Sequence, residues 1–292
     1  MEVFFTKEPI WLEKWDTFLN SNDVGSHLQL SDWLQSYASY GFDFEVCICT
    51  EKNEIVGGFG AVIAKMAFFK FYIVSYGPIV INDAELLNDL ILKVYHRANK
   101  LKACYCQINM PFTQNKDLFN NLYHQNLVLN SVTSFKEGQL FKYIFPLNGL
   151  NWLDLKHYDE PEMLLLDFKS TVRRDIRSAI RKGLEVKFLT NENEIKKAYD
   201  LCLENASRAN YSIRDWNGFK ETIFKLIDKG NAKFIAAYKD DDIKGAILLL
   251  KSGGFYTYIL GGTKKEKPDL LVGHLLQWGS NKIINLRKMS WI

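Results

Sequence analysis

No stretch of about 18 consecutive apolar residues occurs in this 292-residue sequence, so nothing in it reads as a membrane-crossing helix. The first ten residues carry Glu2, Lys7 and Glu8, and lack both the basic start and the apolar stretch of a signal peptide. Excess charge is also scarce: 37 Lys and Arg against 34 Asp and Glu leave a net +3. Bulk charge therefore does not make the chain a polyanion binder, and any phosphate it holds must meet a local basic cluster. Cysteines number only five, an odd count. Cys47/Cys49 and Cys104/Cys106 alternate within apolar runs, as one face of a strand does, and no third group of Cys or His accompanies them. That pattern predicts buried free thiols in a reducing cytoplasm and no metal site. There is no Walker A sequence, and His27, His96, His124, His157 and His274 do not fall at motif spacing with Ser or Cys.

What is present is the composition of a globular protein, 47% hydrophobic and 24% charged, long enough for one large domain or two ordinary ones. Apolar spacing predicts a helix over Pro9–Asn20 and a second over Asp32–Tyr40. Phe44–Thr50 and Ile55–Lys65 then read as a hairpin, followed by a strand at Phe68–Ser75, the breaker Tyr76-Gly77-Pro78, a helix over Glu85–Lys100 and a strand at Ala103–Ile108. The second half repeats the plan. Helices at Glu194–Arg208 and Trp216–Asp228 precede strands at Lys233–Tyr238, Ile243–Lys251 and Phe255–Leu260, a helix over Leu270–Leu286 and a strand beginning at Met289. Ile55-Val56-Gly57-Gly58 lies over Ile243-Lys244-Gly245-Ala246, each after an acidic turn. The repetition predicts a duplicated α/β unit, with domains at 1–150 and 151–292 joined through a linker near Phe141–Pro161.

Four segments carry a family resemblance. Gln29 and Trp33 lie four apart in Ser26–Trp33; Tyr76-Gly77-Pro78-Ile79-Val80 ends a strand; Ser170–Val186 is a basic helix closing on Gly183, an aliphatic residue, a polar residue and Val186; and Tyr256–Gly262 precedes Pro268, Leu271 and Gln277-Trp278. In this order they resemble the FemAB-like transferases, of the GNAT superfamily, which move amino acids from aminoacyl-tRNA to a peptidoglycan precursor. The resemblance implies two tandem GNAT-like domains, each a mixed sheet flanked by helices, without the long helical-hairpin insertion of some relatives. It implies an acyltransferase of cell-wall biogenesis, in the cytoplasm, with aminoacyl-tRNA as donor co-substrate and no bound cofactor. Its partners would be a phosphate-bearing acceptor, tRNA and, through a lipid-linked substrate, the membrane periphery. Three departures stand out. Gln35 occupies the place of a phosphate-contacting Lys, Asn109 that of an Asp proposed for catalysis, and the chain stops at Trp291-Ile292, where relatives continue in a tail that returns to the first domain. Loss of that tail would leave an apolar strip on the first domain, through which the chain would dimerise or lose solubility.

Arg173, Arg177 and Arg181 are spaced four apart and share a helix face, flanked by Arg174 and Lys182. Arginine forks suit phosphate, and a solvated face is the plainer reading of the same row. With the family match, these three are expected to face a cleft between the domains and bind an anion. Tyr256 and Tyr258 alternate on one strand face beside Gly261, and either line a cleft or fill the core. Substrate-binding candidates are thus Arg173, Arg177, Arg181, Gln29, Trp33, Gln35, Tyr256, Tyr258 and Gly261, with Asn109 the one catalytic candidate. Lys267–Gly273 departs from the GNAT pyrophosphate loop, with Pro268 and no glycine pair, which disfavours acetyl-CoA. The alternatives are N-acylation of an amino sugar or other amine from CoA or a carrier, and a GNAT-like binding protein without activity.

Overall fold

A computed structural model describes residues 1–81, 83–109, 151, 153–285 and 290–291. The chain divides into two compact units, Met1–Gly149 and Leu150–Ile292. The expected linker lies largely outside the described residues.

The first unit is built on strands β1 (Glu2–Thr6), β2 (Asp43–Glu51), β3 (Glu54–Met66), β4 (Phe69–Val74), β5 (Ile79–Val80) and β6 (Tyr105–Ile108), with helices α1 (Pro9–Asn20), α2 (Ser31–Gln35) and α3 (Ala84–Lys100). The sheet runs β1-β2-β3-β4-β6, and β5 pairs with β3. Only β4 and β6 are parallel, joined by the crossover through α3. Leu86, Leu90, Val94 and Ala98 give α3 its apolar stripe, which packs on Cys47, Cys49, Phe59 and Ala61 of the sheet. Asp83 starts that helix by accepting from the Leu86 amide at 2.8 Å. The helix expected over Asp32–Tyr40 is α-helical only to Gln35 and continues as a 3-10 turn to Gly41, whose φ of +73° closes it.

The second unit contains strands β7 (Glu185–Leu189), β8 (Ala232–Lys239), β9 (Asp242–Ser252), β10 (Phe255–Thr263) and β11 (Ser290–Trp291). Its helices are α4 (Pro161–Asp167), α5 (Ser170–Arg181), α6 (Glu192–Arg208), α7 (Trp216–Asp228) and α8 (Val272–Asn285). Its sheet runs β11-β10-β9-β8-β7, again antiparallel except for the last pair, β10 and β11, which α8 joins. The duplication reaches individual residues. Both hairpins turn through two residues of positive φ, Lys52-Asn53 and Asp240-Asp241, the geometry that matches strand twist. Both then carry a one-residue irregularity: Val56 falls between the pairs Thr50–Ile55 and Cys49–Gly57, and Lys244 between Tyr238–Ile243 and Ala237–Gly245. No described helix is long and apolar enough to cross a membrane.

Candidate functional site

In the first unit, β3 pairs with β4 beyond Val62 and with β5 at Gly57–Gly58, so the ladder opens around Gly60. Gln29 fills that opening. Its Oε1 accepts from the Gly60 amide at 2.5 Å, and its Nε2 donates to the carbonyls of Ser75 (2.5 Å) and Gly60 (3.3 Å). A primary amide serves here as a substitute peptide, offering donor and acceptor where the strands part. The segment is held from below: Trp15 Nε1 donates to the Gln29 carbonyl at 2.8 Å, and Asp16 accepts from the amide and hydroxyl of Ser31. Gln29 is fully buried and Trp33 nearly so, its ring edge-on to His27. Both expected binding residues thus spend their polar or aromatic surface on the fold. Gln35 is exposed at the end of α2. Asn109 is half-buried where β6 ends. Its amide donates to Val74, its carbonyl accepts from the Gly77 amide at 3.0 Å, and its Oδ1 accepts from Gln107 Nε2 at 2.7 Å. The Gly77-Pro78 turn and Asn109, separate motifs in the sequence, are therefore one hydrogen-bonded corner.

In the second unit, α5 turns Val172, Ile176 and Ala179 to the core and the arginines to the opposite side. Its end is fixed by a Schellman motif: the Gly183 amide donates to Ile180 and the Leu184 amide to Ala179, with Gly183 at φ +82° and Leu184 buried beside Ala179. That geometry is why the basic helix closes on glycine and an aliphatic residue. The five basic residues divide in use. Arg173 Nη1 donates to the carbonyls of Leu166 (2.6 Å) and Phe168 (2.7 Å), tying α4 to α5. Lys182 donates to the Asp269 carbonyl at 2.7 Å, and Arg174 lies 3.6 Å from Asp175. Arg177 and Arg181 are exposed and have no carboxylate partner among the described residues.

Beside α5, the loop from β10 into α8 encloses two adjoining cavities that share Thr263 and Gly273. One, of about 220 Å³, is lined by Lys264, Lys265, Glu266, Asp269 and His274 at the start of α8. The other, of about 190 Å³, is lined by Asn205, Tyr258, Gly261, Gly262, Leu276 and Gln277. The loop is tied down by Lys182 on Asp269 and by His274 Nδ1, 3.3 Å from Asp175. Tyr256 and Tyr258 share a strand face but not a fate: Tyr256 is core, whereas Tyr258 stands at the cavity, 41% exposed. The register of β10 on β9 slips between Tyr258 and Leu260, leaving Ile259 as the extra residue. A Cβ on Gly261 would come within 2.5 Å of the Tyr258 Oη, so glycine is what lets the ring lie over the strand. Partial burial pushes the Tyr258 phenol up to about 12, so at neutral pH it is a hydrogen-bond donor and not a base. Asn205 Nδ2 donates to the Gly261 carbonyl at 3.1 Å, and Arg208 donates to Asn205 Oδ1 and to Thr263. Asn205, Arg208, His274 and the bulge carry no local motif, and only the folded chain assembles them.

The thiols need one correction. Cys47, Cys49 and Cys202 are buried, but Cys106 is half-buried and Cys104 exposed. Cys104 directly precedes β6, its Sγ 3.3 Å from the Lys70 carbonyl. Burial pushes the Cys47 and Cys202 thiols up to about 12, which keeps them protonated. No group of His, Cys, Asp and Glu able to hold a metal occurs among the described residues.

Residues 10–242 match the FemAB family. No curated protein matches the chain. Among solved structures, FemX is similar over 100% of this chain and 88% of its own, with a TM-score of 0.79 at 19% identity. L-PGS from Bacillus licheniformis is similar over 97% of this chain and 74% of its own, with a TM-score of 0.56 at 12% identity. The structural likenesses show the tandem GNAT-like fold, and the match across most of the chain places it, as a transferase, in the FemAB family of peptidoglycan-bridge aminoacyltransferases.

Proposed function

We propose that the chain transfers an aminoacyl group from aminoacyl-tRNA to an amine of a phosphate-bearing cell-wall precursor, in the cytoplasm. The observation that carries this reading is the pair Arg177 and Arg181. Lys196 is paired with Asp200, Lys244 with Glu266 and Lys264 with Asp242, while these two arginines stand exposed, four apart on one capped helix, with no carboxylate partner among the described residues. Unpartnered arginines four apart favour a phosphate or diphosphate as their counter-ion. Arg173, engaged with two carbonyls, positions the helix in this scheme and does not bind substrate.

The chemistry needs no protein nucleophile. The acceptor amine attacks the ester carbonyl of the aminoacyl-tRNA, the ribose oxygen leaves, and an amide forms. Tyr258, protonated and placed at a bulged strand over Gly261, suits the role of donor to the developing oxyanion or the departing oxygen. Donor phosphates would meet Lys265 and the first turn of α8. The same cavity favours a second reading, a CoA or carrier thioester as donor. It is the weaker one, because the loop lacks the glycine pair that brings backbone amides onto a pyrophosphate.

Binding of a nucleotide-linked precursor tests the first half of the proposal. Arg177→Ala should weaken it by roughly ten- to a hundredfold, the loss of one charge-assisted contact. Arg177→Lys should recover part of the loss, having charge without the planar fork. Unchanged affinity in Arg177→Ala would reduce α5 to a solvated surface.

A further inference from the structure

The turn between β3 and β4 breaks three local rules at once. It is a two-residue hairpin loop, Ala67-Phe68, closed by the pair Met66–Phe69. Ala67 has a φ of +52°, a conformation that turns favour for Gly, Asn or Asp; the matching positions of the other two-residue turns hold Lys52, Asp240 and Gly253. The residues at the tip are large and apolar but uncovered: Phe68 is fully exposed, Phe69 60% and Met66 43%. Just behind them, Lys65 and Lys70 stand directly opposite one another, a like-charge cross-strand pair that costs stability. Lys70 Nζ is held to the Leu101 carbonyl at 2.6 Å, which brings Lys100 and Lys102, both exposed, to the same end of the sheet. Two carboxylates of β2 are already engaged, Asp43 by Lys7 and Glu45 by Arg97.

Aromatic side chains projecting from a rigid tip, backed by a collar of lysines, match the two layers of an anionic bilayer surface. The rings enter the acyl boundary, and the ammonium groups remain at the phosphates. We infer that the β3–β4 hairpin tip docks this protein on an anionic lipid surface, Phe68, Phe69 and Met66 inserting while Lys65, Lys100 and Lys102 contact headgroups. The uncovered rings and the cross-strand charge, both unfavourable in water, are then explained by one environment that favours them. The inference stands on the first unit alone and does not depend on the donor or acceptor of the transfer reaction.

The test is co-sedimentation of the full chain with vesicles of phosphatidylglycerol mixed into phosphatidylcholine, compared with phosphatidylcholine alone. Binding should require the anionic lipid and fall at high salt. Phe68→Ala with Phe69→Ala should weaken partitioning by at least about tenfold, from lost apolar burial. Each of Lys65→Ala, Lys100→Ala and Lys102→Ala should weaken it by roughly fivefold. Phe68→Trp should keep the binding, and its added fluorescence should be quenched by brominated acyl chains. All of these sites are at the surface, so the thermal unfolding temperature should not fall in any of the variants, and should rise slightly in Lys65→Ala, which removes the like-charge pair. Indifference to the phenylalanine substitutions, or equal binding to neutral vesicles, would overturn the inference. So would tip-dependent self-association without lipid, which would assign the surface to a second copy of the chain.

Discussion

His27 sits edge-on to the Trp33 ring with 7% of its surface exposed, and burial lowers its pKa from 6.5 to about 3. The folded chain therefore keeps this imidazole neutral at pH values where the unfolded chain protonates it. Its contribution is fully present above about pH 6.5 and is lost as the pH falls toward 3, since the unfolded state binds the extra proton throughout that window. Between neutrality and about pH 5 the loss should reach about 2 kcal/mol. Unfolding midpoints measured across this range should fall steeply for the native chain and stay flatter in His27→Phe; parallel curves would show that His27 is not the group responsible. The same residue scale separates the two kinds of polar group in the Ser26–Trp33 segment. Gln29 could be marked as important from sequence, but not that its amide closes a gap in a sheet, because the opening between β4 and β5 exists only once β3 has paired with both.

At the scale of elements, α5 was the most legible part of the chain. Its apolar stripe, its arginine row and its closing glycine lie within seventeen consecutive residues, from Ser170 to Val186. Gly183 has φ +82° with open space where a Cβ would sit, so Gly183→Ala should cost about 1 kcal/mol, from backbone conformation alone. Gly262→Ala should cost more, because its Cβ would collide with the Leu201 carbonyl on α6, where neither backbone can give way. Chemical denaturation of the two variants should rank them in that order; equal losses would contradict the packing of α6 on β10. The edge strands β1 and β7 were not legible. Each is five residues long with only its last residue buried, so period-two alternation has little length in which to appear. The strand break at Tyr258–Leu260 was hidden for a related reason: a bulge is a statement about register against β9, and Phe255–Leu260 alone reads as an unbroken strand.

For the molecule as a whole, one supersecondary plan used twice accounts for both units, down to turns of positive φ and a bulge at the same hairpin position. Duplication was visible in sequence because the acidic turn and the small residues after it repeat. The specialisation of the copies was not, since it rests on residues brought together by folding: Asn109 on the Gly77 turn in one unit, and Tyr258, Asn205 and the loop before α8 in the other. The most direct measurement is single-turnover transfer of a labelled amino acid from charged tRNA to a nucleotide-linked cell-wall precursor, run beside the same acceptor with acyl-CoA. The account predicts an amide product from the aminoacyl-tRNA, abolished by ribonuclease and reduced roughly ten- to a hundredfold in Arg177→Ala. Product from acyl-CoA alone, or an Arg177→Ala rate equal to that of the native chain, would contradict it.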